Sequence, residues 1–192
     1  NEVREGKWRR EENRGHELMG KTVGIIGYGY MGEAFAKRLA GFQVKLIAYD
    51  KYKSGFGDGV VKEVSLEELK LNADVISLHV PLTDETSGMV CEDFLRSLSH
   101  PIYLINTARG PVVQTRALID ALRSGKVLGA CLDVFEQESS SFESVNETKK
   151  IMQELRDADS VVLSPHIAGW THESKEKMAK FLIEKITAEF GS

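Results

Sequence analysis

Three polar residues with complementary chemistry follow predicted strands in the second half of this sequence: Arg109, Glu138 and His166. A guanidinium is a planar fork of donors that can clamp a carboxylate and polarise a neighbouring carbonyl. A histidine can exchange a proton with a hydroxyl or carbonyl oxygen near neutral pH, and a carboxylate on its other ring nitrogen would fix its tautomer. Taken singly, the three fit a surface arginine, a loop acid and a core histidine equally well. Only their placement together, in a chain that also has a glycine-rich loop typical of dinucleotide binding at residues 27–32, favours the catalytic interpretation.

A glycine-rich stretch near the start of the chain has the pattern of a nucleotide-phosphate site. The apolar run 23–26 predicts a buried parallel strand, and Gly27, Gly29 and Gly32 follow it as G-x-G-x-x-G. In this motif the first glycine permits a tight turn, the second lets the backbone approach a pyrophosphate, and the third lets the helix pack on the strand. The helix predicted over 31–40 points its positive N-terminal end at the anion.

A carboxylate ends the second predicted strand at Asp50, which lies 50 − 32 = 18 residues after the last glycine, close to the expected spacing of about 20. Such a carboxylate can accept both ribose hydroxyls of an adenosine and would repel a 2′-phosphate, although Asp50 alone could equally be a solvated strand-end residue. Strand, glycine loop, helix, strand and acid in this order favour NAD over NADP. Lys51 and Lys53 argue the other way, because a 2′-phosphate would attract cations.

Strands that alternate with helices along the chain predict an α/β fold, a Rossmann-type doubly wound parallel sheet with helices on both faces. Ser65 and Glu68 predict a capping box, Asn146 is the expected cap of a helix over 147–156, and Thr171 is expected to cap the last helix. That helix has an apolar stripe that needs a partner surface. The stripe consists of Met178, Leu182, Ile183, Ile186 and Phe190.

Composition narrows the class of protein. The 192 residues are 42% hydrophobic and 28% charged, which suits one globular domain. A net charge of −4 argues against nucleic acid or an anionic membrane as partner. No apolar run reaches membrane-spanning length, and no signal-peptide pattern is present. Cys91 and Cys131 lack a C-x-x-C spacing, so neither a disulfide framework nor a metal site is expected, and the expected compartment is the cytoplasm.

The motifs together resemble the cofactor-binding domain of the D-isomer-specific 2-hydroxyacid dehydrogenases over nearly the whole chain. The resemblance rests on 27–32 with Asp50 and on the segments 78–83, 106–110, 132–138 and 164–169. It implies that Arg109 binds and polarises a 2-keto acid, that His166 is the acid or base, and that Glu138 supports His166. It also implies that Asp133 holds the nicotinamide carboxamide. The family usually has proline after this glutamate, whereas the present chain has Ser139.

The expected NAD-binding residues come from these same segments. They are Gly27, Gly29, Tyr30, Met31, Gly32, Asp50, His79, Val80, Pro81, Thr86, Thr107, Ala108, Arg109, Asp133, His166 and Gly169.

In the family this domain is inserted within a separate substrate domain built from both chain ends. The resemblance therefore divides the chain into an interdomain connector (1–20), an NAD-binding Rossmann domain (21–170) and a crossover helix toward the substrate domain (171–192). It implies NAD as cofactor, a small 2-hydroxy or 2-keto acid as substrate, with phosphoglycerate as first choice, and a homodimer.

Two other functions stay open on the sequence. One is an NAD(H)-sensing interaction module without significant turnover, since relatives of this family act as transcriptional corepressors. The other is a Rossmann-type binding domain with no chemistry of its own. The presence of Arg109, Glu138 and His166 together favours the enzyme.

Overall fold

The computed structural model describes residues 2–136 and 146–191. Within these residues, seven strands form one sheet in the order β3-β2-β1-β4-β5-β6-β7, and each neighbouring pair is parallel. The order runs outward from β1 in both directions, which is the doubly wound arrangement, so the predicted fold is confirmed. The strands are β1 Thr22–Ile26, β2 Lys45–Tyr49, β3 Val61–Glu63, β4 Val75–Leu78, β5 Ile102–Asn106, β6 Val127–Leu132 and β7 Val161–Leu163.

The described residues also form six α-helices and three short 3-10 helices. The α-helices are α1 Tyr30–Leu39, α2 Leu66–Asn72, α3 Glu92–Arg96, α4 Thr115–Arg123, α5 Asn146–Asp157 and α6 His172–Phe190, and the 3-10 helices are Glu2–Glu5, Ala40–Phe42 and Gly110–Val112.

Two of the predicted helix caps are confirmed. The Ser65 hydroxyl accepts the Glu68 N–H at 3.1 Å, which is one half of the predicted capping box, and Thr171 and Ser174 form a reciprocal capping box at the start of α6. The third predicted cap stays a prediction, because the described part of α5 begins at Asn146 and the side chain of Asn146 lies outside the described residues.

Helices cover both faces of the sheet because neighbouring residues of each strand point to opposite sides. Ile25 and Leu46 belong to a core cluster on the α1 side. Ile26 and Ile47, the next residues along the same strands, belong to a larger cluster with Leu69 of α2 and with residues of α3, α4 and α5. The fold therefore has two cores, one on each side of the sheet.

The α6 helix carries the predicted apolar stripe on its surface. None of its residues is buried, and Met178, Leu182, Ile183, Ile186 and Phe190 are all exposed, as is Phe181. On the sheet, Ile105, Cys131 and Val162 are register partners on adjacent strands, and Cys131 and Val162 are exposed as well. Apolar surface thus remains uncovered on α6 and at the β6–β7 end of the sheet.

Candidate functional site

The three glycines of the phosphate motif occupy three different environments. Gly27 has φ +92°, and a Cβ there would lie 2.6 Å from the carbonyl oxygen of His79. At Gly32 a Cβ would lie 2.1 Å from the carbonyl oxygen of Gly27, so α1 can approach β1 only without a side chain. At Gly29, by contrast, no atom of the described residues lies within 4 Å of a Cβ. The loop is therefore packed at both ends and open in its middle.

The open middle of the loop lies at the N-terminus of α1. Gly29 is the N-cap residue and has no side chain with which to cap the helix. The first hydrogen bond of α1 runs from the Glu33 N–H to the Gly29 carbonyl at 2.9 Å, so the N–H groups of residues 30–32 precede it. Tyr30 and Met31 expose most of their surface. Such an end attracts an anion through its N–H groups and its dipole.

Asp50 lies beside this loop and orders it. Its carboxylate accepts the Tyr28 N–H at 2.8 Å and the N–H groups of Tyr52 at 2.9 Å and Lys53 at 3.0 Å. Burial alone would raise the pKa of the Asp50 carboxyl, but these N–H donors outweigh it and hold the pKa below its ordinary value. A carboxylate offers about four acceptor positions. Three are used here, which leaves one for a ribose hydroxyl rather than the two expected from the sequence.

His79 follows β4 and packs against the other side of the glycine loop. Its N–H donates to the Ile26 carbonyl at 2.8 Å, its ring lies 4.9 Å from the ring of Phe35, and its Nε2 is 2.9 Å from the Ser77 hydroxyl. Burial lowers the pKa of His79 to about 4. The ring is therefore neutral at physiological pH, and His79 shapes the loop rather than presenting charge to it.

The segment after His79 is organised by Thr86. The Thr86 hydroxyl donates to the Pro81 carbonyl at 2.6 Å and accepts the Thr83 N–H at 2.8 Å. Val80 is half-buried and Pro81 is exposed at the same sheet edge. The loop is thus closed on itself by the hydroxyl of Thr86, a residue predicted to contact the cofactor.

Arg109 is positioned by two residues that sequence reasoning did not select. The buried side chain of Asn106 accepts the Ala108 N–H at 3.0 Å and donates to the Arg109 carbonyl at 3.1 Å. A Cβ on Gly110 would lie 1.7 Å from the Phe135 carbonyl oxygen. A polar amide at the end of a buried strand was the available signal for Asn106. The Arg109 side chain is exposed, as is Thr107, and its Nη1 donates to the Ala108 carbonyl at 2.7 Å.

Asp133 is buried at the end of β6 and holds the loop that carries His166. Its carboxylate accepts the Ser164 hydroxyl at 2.6 Å, the Ile167 N–H at 2.9 Å and the Ala168 N–H at 2.8 Å. Burial alone would raise the pKa of the Asp133 carboxyl, but these hydrogen bonds outweigh it and the pKa lies below its usual value. The loop is therefore built around an ionised carboxylate.

His166 has a backbone conformation that is uncommon for a residue with a side chain. Its φ is +54°, and such strain persists where the surroundings over-determine it, often at functional sites. Its backbone N–H donates to the Asp133 carbonyl at 2.8 Å, and its side chain is exposed, as is Gly169 three residues later. The positive φ of His166 was not predicted, because it is rare for a residue other than glycine, although the preceding Pro165 is common in turns.

Backbone hydrogen bonds bring the second half of the predicted site together. The Asp133 N–H donates to the Asn106 carbonyl at 3.0 Å, and the His166 N–H donates to the Asp133 carbonyl. Because β5, β6 and β7 are adjacent, the loops bearing Arg109, Asp133 and His166 form one continuous row. The predicted partner Glu138 lies outside the described residues. Glu136 accepts the Thr115 N–H at 2.8 Å and so caps α4, a role that was not predicted.

Within residues 2–136 and 146–191, no group of three or more His, Cys, Asp or Glu side chains could hold a metal ion. Over the same residues, the helices are all too short or too polar to cross a membrane.

Three known proteins with similar sequences are reductases or dehydrogenases. Glyoxylate reductase of Thermofilum pendens is 41% identical over 97% of this chain and 54% of its own length. Hydroxypyruvate reductase of Thermotoga maritima is 40% identical over 98% of this chain and 59% of its own. D-3-phosphoglycerate dehydrogenase of Archaeoglobus fulgidus is 37% identical over 96% of this chain and 34% of its own. The chain thus spans about half the length of the first two. These relatives give no support to the corepressor-like alternative.

Solved structures agree with the sequence relatives. D-2-hydroxyisocaproate dehydrogenase superposes with a TM-score of 0.86 at 31% identity, over 100% of this chain and 60% of its own. D-lactate dehydrogenase of Aquifex aeolicus, complexed with NAD and lactic acid, gives 0.83 at 34% identity, over 97% and 59%. The family model described as D-isomer specific 2-hydroxyacid dehydrogenase, NAD binding domain, matches residues 1–168. The chain belongs to this family, as its NAD-binding domain.

Proposed function

We propose that the protein containing this chain reduces small 2-keto acids to D-2-hydroxy acids with NADH, and that this chain supplies the cofactor site and the acid–base residue. The observation that carries the proposal is the row of loops after β5, β6 and β7, which places Arg109 and His166 on the sheet edge that also holds the glycine loop. Ligands of open α/β sheets bind at this edge.

The residues present fit a dinucleotide. The open space at Gly29 and the N-terminus of α1 suit a pyrophosphate, and the ionised Asp50 suits an adenosine ribose. When bound, NADH supplies the hydride. The remaining predicted contacts lie on the loops after β4 to β7, and we propose that they line the nicotinamide half of the groove.

The chain's own residues supply substrate binding and the proton. Arg109 would clamp the carboxylate of a 2-keto acid through its fork of donors and polarise the adjacent carbonyl. The alkoxide that forms during reduction is too basic to remain unprotonated, and His166 as imidazolium would protonate it. Glu138 would hold the other ring nitrogen of His166 and stabilise its charged form. Asp133 would fix the loop of His166 and offer its remaining acceptor position to the nicotinamide carboxamide.

The relatives guide the choice of substrate. Glyoxylate and hydroxypyruvate are the keto acids named by the two relatives with the higher identities above, so we propose one of these ahead of the phosphoglycerate expected from the sequence. All three share a carboxylate beside a carbonyl or hydroxyl, which is what Arg109 and His166 would recognise.

The test is turnover of the intact protein with NADH and a panel of glyoxylate, hydroxypyruvate, 3-phosphohydroxypyruvate and pyruvate. His166→Asn should lower kcat by about 10²–10⁴-fold, as expected for a positioned general acid. Arg109→Lys should raise KM as well, because an ammonium cannot reproduce the bidentate clamp.

His100→Asn is the matched control, since His100 lies between α3 and β5, at the opposite edge of the sheet, 3.8 Å from Asp74. It should leave kcat unchanged. Near-normal kcat in His166→Asn would remove the proposed role, and binding of NADH without turnover on any keto acid would favour the sensing module.

We also propose that the protein is a cytoplasmic homodimer and that residues 1–20, 21–170 and 171–192 serve as connector, NAD-binding domain and crossover helix. The exposed apolar side chains of α6 support the need for a covering surface. Sedimentation equilibrium of the intact protein should give twice the chain mass, and a monomer at micromolar concentration would contradict the dimer.

A further inference from the structure

A single carboxylate joins two loops at the adenosine end of the proposed groove. Glu85 lies in the loop after β4 and accepts the ammonium of Lys51 on Oε1 at 2.8 Å. Its Oε2 accepts the hydroxyl of Tyr52 at 2.5 Å. Lys51 and Tyr52 directly follow Asp50 at the end of β2. Both oxygens of Glu85 are therefore engaged by the loop that carries the ribose-binding candidate.

The sheet order gives this bridge its position. Strand β1 lies between β2 and β4, so a link between the loops after β2 and β4 spans the side of the groove at which the glycine loop begins. Asp50 fixes the near end of the link, because its carboxylate accepts the N–H groups of Tyr52 and Lys53. Hydrogen bonds to Asp50 thus fix the backbone beside Lys51, which follows the predicted ribose ligand by one residue.

Two cations lie near enough in sequence to serve a 2′-phosphate, and each has a contact of its own. Lys53 donates to the Tyr28 carbonyl at 3.2 Å, and its ammonium lies over the rings of Tyr28 at 5.3 Å and Phe56 at 5.7 Å. Lys51 is held by Glu85 instead. Of these two lysines, Lys51 directly follows Asp50, and a carboxylate ties it to the opposite loop.

We propose that Glu85 is a specificity-determining residue, which holds Lys51 away from the 2′ position of the adenosine ribose and so excludes NADP. Because Lys51 is paired with Glu85, its charge is not available to a 2′-phosphate. The Asp50 carboxylate then repels the phosphate, whereas the hydroxyl of an unmodified ribose can donate to it. The inference rests on the proposed dinucleotide site and assigns the basis of its cofactor choice.

The test measures dissociation constants for NADH and NADPH by titration of nicotinamide fluorescence. Glu85→Gln keeps the shape of the side chain and an acceptor for Tyr52 but removes the charge that holds Lys51. We expect NADPH to bind about threefold to tenfold tighter in this variant, the scale of one exposed ion pair gained and one repulsion lost, with NADH changed by less than about twofold. The gain should shrink as ionic strength rises.

A double-mutant cycle assigns the effect to Lys51. Lys51→Ala alone should change NADPH binding little, because Lys51 is already engaged, whereas Lys51→Ala in the Glu85→Gln background should cancel most of the gain. Glu92→Gln, on α3 and paired with Arg96, is the control for loss of one negative charge, and it should leave both constants unchanged.

The outcomes separate this inference from the proposed function. An unchanged NADPH constant in Glu85→Gln, or a gain that survives removal of Lys51, would overturn the role of Glu85 while NADH binding stands. Failure of the unaltered chain to bind NADH would instead remove the dinucleotide site itself.

Discussion

Alanine at two glycines of the phosphate loop should fail in opposite ways. Gly29 is exposed, has φ −80°, which an alanine adopts without strain, and has open space where its Cβ would project. Gly32 is buried, and its Cβ would lie 2.1 Å from the carbonyl oxygen of Gly27. We therefore expect Gly29→Ala to fold normally and bind NADH poorly, and Gly32→Ala to lose stability.

The magnitudes follow from these environments. A surface substitution without a steric conflict changes the free energy of unfolding by less than about 0.5 kcal/mol, so Gly29→Ala should stay within that range. Its methyl group would occupy the approach of the pyrophosphate to the N–H groups of α1, and we expect the NADH dissociation constant to rise at least about tenfold, or about 1.4 kcal/mol. In Gly32→Ala the backbone must move, which costs about 1–3 kcal/mol or more, as overpacking does.

Urea unfolding followed by far-UV circular dichroism measures the free energy of unfolding, and NADH fluorescence titration measures the dissociation constant of NADH. Gly41→Ala is a control, since the described residues also leave open space at its Cβ and it lies beyond α1; it should bind NADH normally. Wild-type NADH affinity in Gly29→Ala would refute the assignment of the open space to the pyrophosphate. Unchanged stability in Gly32→Ala would show that the close approach of α1 and β1 can relax at little cost.

Two further perturbations test buried groups of the site. The His79 pKa of about 4 lies below its unfolded value of 6.5, so the unfolded state binds the proton first and stability is lost as pH falls from 6.5 toward 4. Between pH 7 and pH 5 the wild type should lose about 1–2 kcal/mol more unfolding free energy than His79→Asn, allowing for the ring's partial exposure. An equal loss of unfolding free energy in the two proteins, measured by urea unfolding at both pH values, would contradict this. Asp133→Asn sets an amide donor against N–H and hydroxyl donors of the 164–168 loop, which should cost about 1–3 kcal/mol and speed hydrogen exchange at Ile167 and Ala168. Exchange at the wild-type rate would show that the loop holds its shape without Asp133.

The alternation of strands and helices could be predicted from the sequence because it depends on local periodicity. The apolar run before Gly27 predicted β1, and the glycine pattern predicted the turn and α1, since backbone conformation at Gly27 and close packing at Gly32 restrict these two positions to glycine. The caps at Ser65 and Thr171 were likewise local signals.

The site could be predicted only in part, because several of its contacts come from residues of other loops that are distant in sequence. Asp50 was selected as a ribose ligand from its spacing, but three N–H donors from its own and a neighbouring loop already use most of its acceptor capacity. Asp133 was selected as a cofactor contact by resemblance, whereas its contacts in the structure run to residues 164–168, about 30 positions along the chain.

By itself the sequence determined the order of the elements, the glycine-rich loop and the residue types at the strand ends. These depend on interactions within a few residues, which spacing and side-chain chemistry reveal. Only the tertiary structure decided that Asp133 carries the loop of His166 and that Glu85 restrains Lys51. Those contacts join loops after different strands, and parallel strands are connected through helices, so partners that meet at one sheet edge lie far apart in sequence and leave no local pattern.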